Sequence, residues 1–207
     1  MRILPAAAAG LAATALLALG AAGAAGAPRF EPPPTLATTT AAAPAAVPFD
    51  QAFIDAMVPH HQMALAMAKA AQARGLKNAT TKRIAAAILA TQAKEIAQMK
   101  AWRAAWYPGA KALSGDAAGK VLGLGMAGMG MAHDASALAT SKDVDADFAA
   151  LMVPHHQGAV AMAKLALRKA AHPELKALAR AIIAAQTREI AQLKPLAAGS
   201  MAGMDMG

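Results

Sequence analysis

The chain has no cysteine and very few aromatic residues. Cysteine is absent from all 207 positions, and Phe, Trp and Tyr make up only 3% of them. Without cysteine the protein cannot form disulfides, thiolate metal sites, a thiolate nucleophile or a cysteine-borne lipid anchor. Apolar residues reach 57%, and many of them are alanine, which is the best helix former and a poor strand residue. This composition predicts an all-α fold of closely packed helices.

Acidic residues are also few. The sequence has 12 Asp and Glu against 20 Lys and Arg, which gives a formal net charge of +8. The basic residues are scattered along helical segments, and no basic run is interleaved with aromatic side chains. Nucleic acid is therefore not an expected partner, and we interpret the excess charge as a solvated basic surface.

A hexapeptide with two adjacent histidines, MVPHHQ, occurs twice in the chain. The motif AMAK follows each copy closely, and EIAQ follows each copy about 35 residues further on. The three motifs lie at 57–62, 66–69 and 95–98, and again at 152–157, 161–164 and 189–192. A pattern repeated in register indicates two copies of one structural unit, and its spacing indicates a helical hairpin.

Residues 1–26 have the features of a secretory signal peptide. Arg2 precedes an apolar stretch at 6–19, and Ala-x-Ala sequences place cleavage within 24–27. The apolar stretch is shorter than the roughly 20 residues that a membrane span needs, so a cleaved signal is favoured over a retained anchor. We expect a periplasmic or secreted protein with no stable membrane insertion after cleavage.

The rest of the chain divides into a linker, a helical domain and a tail. Residues 27–48 are rich in Pro and Ala and predict a disordered linker. The domain spans 49–195, and 196–207 form a Met-rich tail. Within the domain, repeat one covers 49–106, a Met/Gly-rich connection covers 107–143 and repeat two covers 144–195.

Apolar periodicity places two helices in each repeat. The predicted helices run over 49–74, 77–106, about 145–170 and from about 173 to 194. Pro195 is expected to end the last of them, and Asp134 could cap a short helix that reaches Leu138. One hairpin alone is too small to bury a sufficient core, so the two hairpins are expected to pack together as a four-helix bundle.

Each repeat places one histidine and one glutamate in the middle of an apolar helix face. At about 100° per residue, these central residues are His60, Glu95, His155 and Glu189. A buried charge must be paired, so we expect His60 and His155 to meet Glu95 and Glu189 inside the bundle. The pairs would either fix helix register or contribute to a metal site. His61 and His156 are expected at the edge of the face, within reach of a ligand.

Methionine is frequent, and part of it lies in two matching clusters. The spacing MxxMxM occurs at Met126, Met129 and Met131, close to His133, and again at Met201, Met204 and Met206. Both clusters lie in Gly/Ala-rich sequence, where a core-filling role for methionine is not expected. Thioethers are soft ligands that select Cu(I) and, by the same softness, Ag(I). The clusters therefore predict copper binding. Further methionines flank the histidines on the helices, at Met57, Met67, Met152 and Met162.

The doubled motif and its flanks resemble the bacterial domain-of-unknown-function family numbered 305. The residues that carry the resemblance are MVPHHQ with AMAK, then Gln92, Glu95, Ile96, Met99 and Trp102, then the Met/Gly-rich connection and the second MVPHHQ. It covers about residues 49–195. The resemblance implies a ferritin-like four-helix bundle, export and an association with copper. Two positions depart from symmetry: Met63 corresponds to Gly158, and Trp102 has no counterpart after Lys194.

The leading hypothesis is an exported protein that buffers or sequesters copper as Cu(I). A second exported copper-handling protein is a candidate partner, and the oligomeric state is left open. The candidate metal ligands are Met57, His60, His61, Met67, Glu95, Met126, Met129, Met131, His133, Met152, His155, His156, Met162, Glu189, Met201, Met204 and Met206.

Two alternatives from other functional classes remain open. The first is a ferritin-like metal-dependent oxidoreductase with a metal pair at His60, His155, Glu95 and Glu189. The Glu-x-x-His motif of di-iron bundles is absent from the sequence, which argues against iron and against an enzyme. The second is a helical protein-interaction module in which His–Glu pairs serve stability alone.

Overall fold

The computed structural model describes residues 46–132 and 135–202, with side chains up to residue 198. The expected signal peptide, most of the linker, His133, Asp134, Met204 and Met206 lie outside the described residues, as does the side chain of Met201. Within them the protein is all-helical, as predicted. The α-helices are α1 (Phe49–Arg74), α2 (Ala79–Trp106), α3 (Gly115–Leu122), α4 (Val144–Lys169) and α5 (Pro173–Ala202), with a 3-10 helix at Ala135–Leu138. None of the described helices is long and apolar enough to cross a membrane.

Local signals in the sequence fix several of the helix ends. The side chain of Asn78 accepts a hydrogen bond from the Thr80 N–H at the start of α2, and Asp143 caps α4 in the same way. Gly75 ends α1 with φ of 86°, a left-handed conformation that glycine adopts without steric cost.

The helices form two hairpins, and the first helix of one hairpin packs against the first helix of the other. Helix α1 pairs with α2 and helix α4 with α5, while α1 packs directly against α4 at the centre. The short helix α3 lies against α1, and the outer helices α2 and α5 contact each other only sparingly. The result is the predicted bundle of four long helices, with α1 and α4 covered on more than one side.

Two equivalent aspartates join the hairpins at their ends. Asp50, in the first turn of α1, accepts hydrogen bonds from the backbone N–H groups of Ala171 and His172 in the α4–α5 turn, at 3.0 and 2.9 Å. Asp145, at the start of α4, accepts from the N–H groups of Lys77 and Asn78 in the α1–α2 turn, at 2.9 and 3.2 Å. In each hairpin, the aspartate at the start of the first helix therefore binds the turn of the other hairpin. These contacts set the register of α1 against α4.

The core consists of two apolar clusters, one towards each end of the central helix pair. One contains the N-terminal half of α1 and the C-terminal half of α4, with Phe53, Met57 and Met162 fully buried. The other contains the opposite halves, with Met67, Phe148 and Met152 fully buried. The paired histidines lie between these methionines in sequence on both helices, so a polar layer separates the two clusters.

Two details of the fold differ from the sequence prediction. Pro195 does not end the last helix, since α5 continues through it to Ala202. A proline removes one hydrogen bond, to the carbonyl four residues earlier, and Ala191 is exposed, so water can satisfy that carbonyl. Leu196 consequently takes the position equivalent to Trp102 and packs on the second core cluster. The connection 107–143 also contains α3, which Ser114 caps by accepting from the Ala117 N–H.

Candidate metal centre

All four histidines of the repeated motif are buried where α1 crosses α4. The rings of His60 and His155 lie against each other in a tilted arrangement, with centroids 3.7 Å apart and an angle of 32° between the planes. The Nε2–H of His60 donates a hydrogen bond to the backbone carbonyl of His155, at 3.1 Å. His61 and His156 lie on either side of this pair, with centroids 6.0 and 6.2 Å from their sequence neighbours. The motif thus builds one continuous imidazole layer across the centre of the bundle.

The glutamates bind the other histidine of each pair, so the predicted pairing was wrong. Glu95 accepts a hydrogen bond from Nε2 of His61 at 2.9 Å, and Glu189 accepts one from Nε2 of His156 at 2.7 Å. The prediction also placed His61 and His156 at an accessible edge, whereas both are 0% exposed.

The physical reason lies in the coverage of the inner helices. An ideal helical wheel shows where the centre of an apolar face lies. It does not show how much of the helix surface is covered by neighbouring helices. Helix α1 packs against α2, α3 and α4, so a side chain about 100° from His60 is buried against its own hairpin partner. Glu95 on α2 meets His61 there, and Glu189 on α5 meets His156 in the equivalent position of the second repeat.

These hydrogen bonds determine which ring nitrogens remain free. An ionised carboxylate can only accept, so Nε2 of His61 and of His156 carries a proton, and Nδ1 is the ring nitrogen left to bind another partner. The same reasoning applies to His60, whose Nε2–H donates to a carbonyl. The Nδ1 atoms of all three rings are buried and have no hydrogen-bond partner, and neither ring nitrogen of His155 has one. An imidazole that donates one N–H to a carboxylate and keeps the other nitrogen free has the arrangement typical of metal-binding histidines.

The central pair of histidines is held in the neutral form. Burial lowers the pKa of His60 well below its ordinary value of 6.5, and the neighbouring His155 and His61 add to the effect. Burial, together with His156 and His61, lowers the pKa of His155 to about 3. Protons therefore compete little for these nitrogens near neutral pH.

Two buried glutamines at equivalent positions are unpaired polar groups as well. Gln92 and Gln186 are each 3% exposed, and the Oε1 atom of each has no hydrogen-bond partner. They lie one turn before Glu95 and Glu189 on α2 and α5. Neither Gln92 nor Gln186 was predicted as a site residue. The repeated spacing Gln-x-x-Glu is the signal that could have identified them.

The Met/Gly-rich connection packs its backbone against α4 at the histidine motif. A Cβ atom on Gly158 would overlap the Met129 carbonyl oxygen, and one on Gly130 would lie 2.5 Å from the Pro154 carbonyl oxygen. Gly130 also has φ of 73°, which favours glycine. The two glycines therefore permit a backbone contact that no other residue would allow, and this explains why Gly158 stands where repeat one has Met63.

The methionines of this connection differ in exposure. Met126 is 37% exposed, Met131 is half-buried and Met129 is fully buried in the core. The expectation that this segment has no core to fill was therefore wrong for Met129, because α3 and the connection form a layer over α1. Met57, Met67, Met152 and Met162 are also fully buried. Among the described residues, no three His, Asp or Glu side chains converge closely enough to hold a metal ion by themselves.

Comparison with known proteins places the chain in a family. The model of the family described as Domain of unknown function (DUF305) matches residues 50–197. The protein belongs to the DUF305 family. No curated protein gives a significant match.

Solved structures of related proteins include forms with bound metal. CopM in its Cu(I)-bound form is 34% identical, with 70% of this chain and 93% of that chain covered and a TM-score of 0.58. CopM in its Cu(II)-bound form is 36% identical, with 72% and 96% covered and a TM-score of 0.60. A DUF305 protein from Streptomyces coelicolor is 31% identical, with 73% and 93% covered and a TM-score of 0.65. CopM has also been solved with Ag bound.

Proposed function

We propose that this DUF305 protein is an exported copper-binding protein that buffers or sequesters Cu(I) through histidine and methionine ligands. The observation that carries the proposal is the buried imidazole layer. His61 and His156 are each oriented by a carboxylate, and each keeps an unpaired Nδ1. The relation to CopM, which binds Cu(I), Cu(II) and Ag, supports copper as the cargo.

The chemistry of the layer favours a cation as its occupant. The Nδ1 atoms of His60, His61 and His156 have no hydrogen-bond partner, and in the neutral imidazole each is an acceptor. A buried acceptor without a partner costs about 1–3 kcal/mol. Water could donate to some of them, but a soft metal ion can accept lone pairs from two imidazoles at once. Neutral imidazole is a suitable ligand for copper.

Glu95 and Glu189 have a supporting role in this proposal. Each carboxylate already accepts the Nε2–H of a histidine, so it fixes the tautomer and orientation of the ring and does not itself bind the ion. This arrangement does not favour a di-iron oxidoreductase, in which carboxylates bridge the metals. No described feature favours that alternative or a module without metal.

The Met/Gly-rich connection supplies soft ligands beside the layer. Met126 is accessible from solvent, while Met129 lies in the core and its backbone touches α4 next to the motif. We assign Met126 and Met131 to capture of Cu(I) and the histidine layer to tighter retention. The second cluster, at Met201, Met204 and Met206, would capture copper in the same way, and Ag(I) would follow the same route.

A competition titration tests this proposal. Cu(I) is titrated into the purified protein against a chromogenic chelator, for the wild type and for His61→Gln/His156→Gln. The matched control is Gln62→Ala/Gln157→Ala, which changes two exposed neighbours in the same motif. We expect at least one site with Kd well below ~1 µM, a loss of about tenfold or more in the histidine variant and no change in the control.

Two outcomes would contradict the proposal. One is a wild-type affinity no tighter than ~1 µM. The other is a histidine variant that remains helical by circular dichroism and binds Cu(I) as tightly as the wild type.

A further inference from the structure

The glutamates that anchor the histidine layer leave the outer helices with a basic outer surface. Each repeat contains a basic residue followed by the glutamate, Lys94–Glu95 on α2 and Arg188–Glu189 on α5. The glutamates turn inward to His61 and His156, with only 19% and 16% of their side chains exposed. The preceding Lys94 and Arg188 are exposed. In both repeats, the acidic residue of this basic–acidic dipeptide therefore points to the core and the basic residue points to the surface.

A third cation joins these two along the line where α2 meets α5. Arg83 donates a hydrogen bond from Nη2 to Oε1 of Gln192 on α5, at 2.9 Å. Arg83 and Lys94 are eleven residues, or three turns, apart and so share one side of α2. Arg188 precedes Gln192 by one turn on α5. Arg83, Lys94 and Arg188, which we call the basic strip, thus follow the α2–α5 line over about 16 Å.

The described surface around the basic strip lacks large exposed hydrophobic side chains. Many of the exposed residues of α2 and α5 are alanines, among them Ala86, Ala90, Ala93, Ala97, Ala181, Ala184 and Ala191. In the described part of the chain, the exposed large hydrophobic residues are Val47 and Met126, and neither lies on α2 or α5. Protein interfaces draw most of their energy from large buried side chains, and specific nucleic-acid recognition uses a groove-entering element or aromatic side chains that stack on bases. A cationic surface of small side chains, without such groups, suits a planar anionic partner.

We propose that the basic strip docks the protein onto an anionic lipid surface through electrostatic contact, without insertion. Each Lys or Arg close to an anionic bilayer contributes ~1 kcal/mol, or about fivefold in partitioning. The inference uses the export that belongs to the proposed function, because export brings the protein to a membrane surface. It is independent of copper, since none of the three cations contacts a histidine of the layer.

The test is a sedimentation assay with lipid vesicles. Vesicles of phosphatidylcholine containing phosphatidylglycerol are compared with pure phosphatidylcholine vesicles and with a short DNA duplex, at low salt and at high salt. The strip variant is Arg83→Gln/Lys94→Gln/Arg188→Gln. The matched control is Lys69→Gln/Lys120→Gln/Lys142→Gln, which removes the same charge at exposed positions outside α2 and α5.

We expect salt-sensitive binding to the anionic vesicles that falls by about a hundredfold in the strip variant and clearly less in the control. Equal losses in both variants would show an effect of net charge alone and overturn the proposal. Absence of binding to anionic vesicles, or tighter binding to DNA, would also overturn it. Cu(I) affinity is measured on the same preparations. Vesicle binding can be absent while copper binding is retained, and copper binding can be absent while vesicle binding is retained. The two proposals are therefore tested separately.

Discussion

Met63 on α1 and Gly158 on α4 occupy the same position after the paired histidines, yet their surroundings differ. Met63 is half-buried and packs on the second core cluster. Gly158 lies under the backbone of Met129 and Gly130, with no room for a side chain. The two hairpins therefore share the histidine–glutamate arrangement but differ in what covers it.

This difference shows how a duplicated unit acquires an asymmetric site. The imidazole–carboxylate pairs are nearly identical in the two repeats, at 2.9 and 2.7 Å. The Met/Gly-rich connection occurs once, and its close backbone contact is made with Gly158 of α4. The symmetric part of the site provides the buried nitrogens, and the asymmetric part places the Met/Gly-rich connection against α4.

The largest expected effect comes from filling the space at Gly158. In Gly158→Ala the new Cβ would overlap the Met129 carbonyl, so the connection must move away from α4. We expect a loss of about 3 kcal/mol in the free energy of unfolding, measured by chemical denaturation. The equivalent change in repeat one, Met63→Ala, should cost no more than about 1–2 kcal/mol. Equal costs at the two positions would mean that the connection does not pack on α4 as described.

The aspartates that join the hairpins give the next comparison. Asp50 is 1% exposed and also accepts a hydrogen bond from Nδ1 of His172 at 2.7 Å. Asp145 is only half-buried. We expect Asp50→Ala to reduce the free energy of unfolding by about 2–3 kcal/mol and Asp145→Ala by about 1 kcal/mol. A larger loss for Asp145→Ala in the same denaturation experiment would contradict this order.

Replacing the glutamates tests whether the two imidazole–carboxylate pairs are equivalent. Glu95→Gln and Glu189→Gln each keep the shape of the side chain but remove the charge that orients a histidine. We expect each to weaken Cu(I) binding by about tenfold, as measured by chelator competition. If one substitution has no effect while the other abolishes binding, only one hairpin contributes a copper ligand.

The smallest expected effect is a pH dependence at one aspartate. Burial acts to raise the pKa of Asp145, but hydrogen bonds from Thr81, Lys77 and Asn78 outweigh it, so the pKa is lowered from its ordinary value of 3.8. The stability that this shift contributes is present above pH 3.8 and is lost as the pH falls through the lowered pKa.

Asp145→Asn should accordingly lose less stability than the wild type between pH 5 and pH 3, in denaturation curves recorded at each pH. The control is Asp116→Asn, an exposed first-turn aspartate of α3. A wild-type-like pH profile in Asp145→Asn would remove the basis for this prediction.

Much of the fold could be predicted from the sequence because the repeat and its helical periodicity are strong local signals. The bounds of α1 were correct, and those of α2 and α4 were within two residues. Which histidine meets which glutamate could not be predicted, because it depends on how far neighbouring helices wrap around α1 and α4. The helix α3 and the contact of Gly158 with Met129 depend on tertiary packing in the same way.

The central claim is that copper binds the buried imidazole layer and not only the methionine clusters. The most direct measurement is X-ray absorption of the Cu(I)-loaded protein in which Met126, Met129, Met131, Met201, Met204 and Met206 are all replaced by leucine. We predict that this variant retains one copper ion per chain with the scattering signature of imidazole nitrogen. Loss of all copper, or a spectrum of sulfur ligands alone, would contradict the claim.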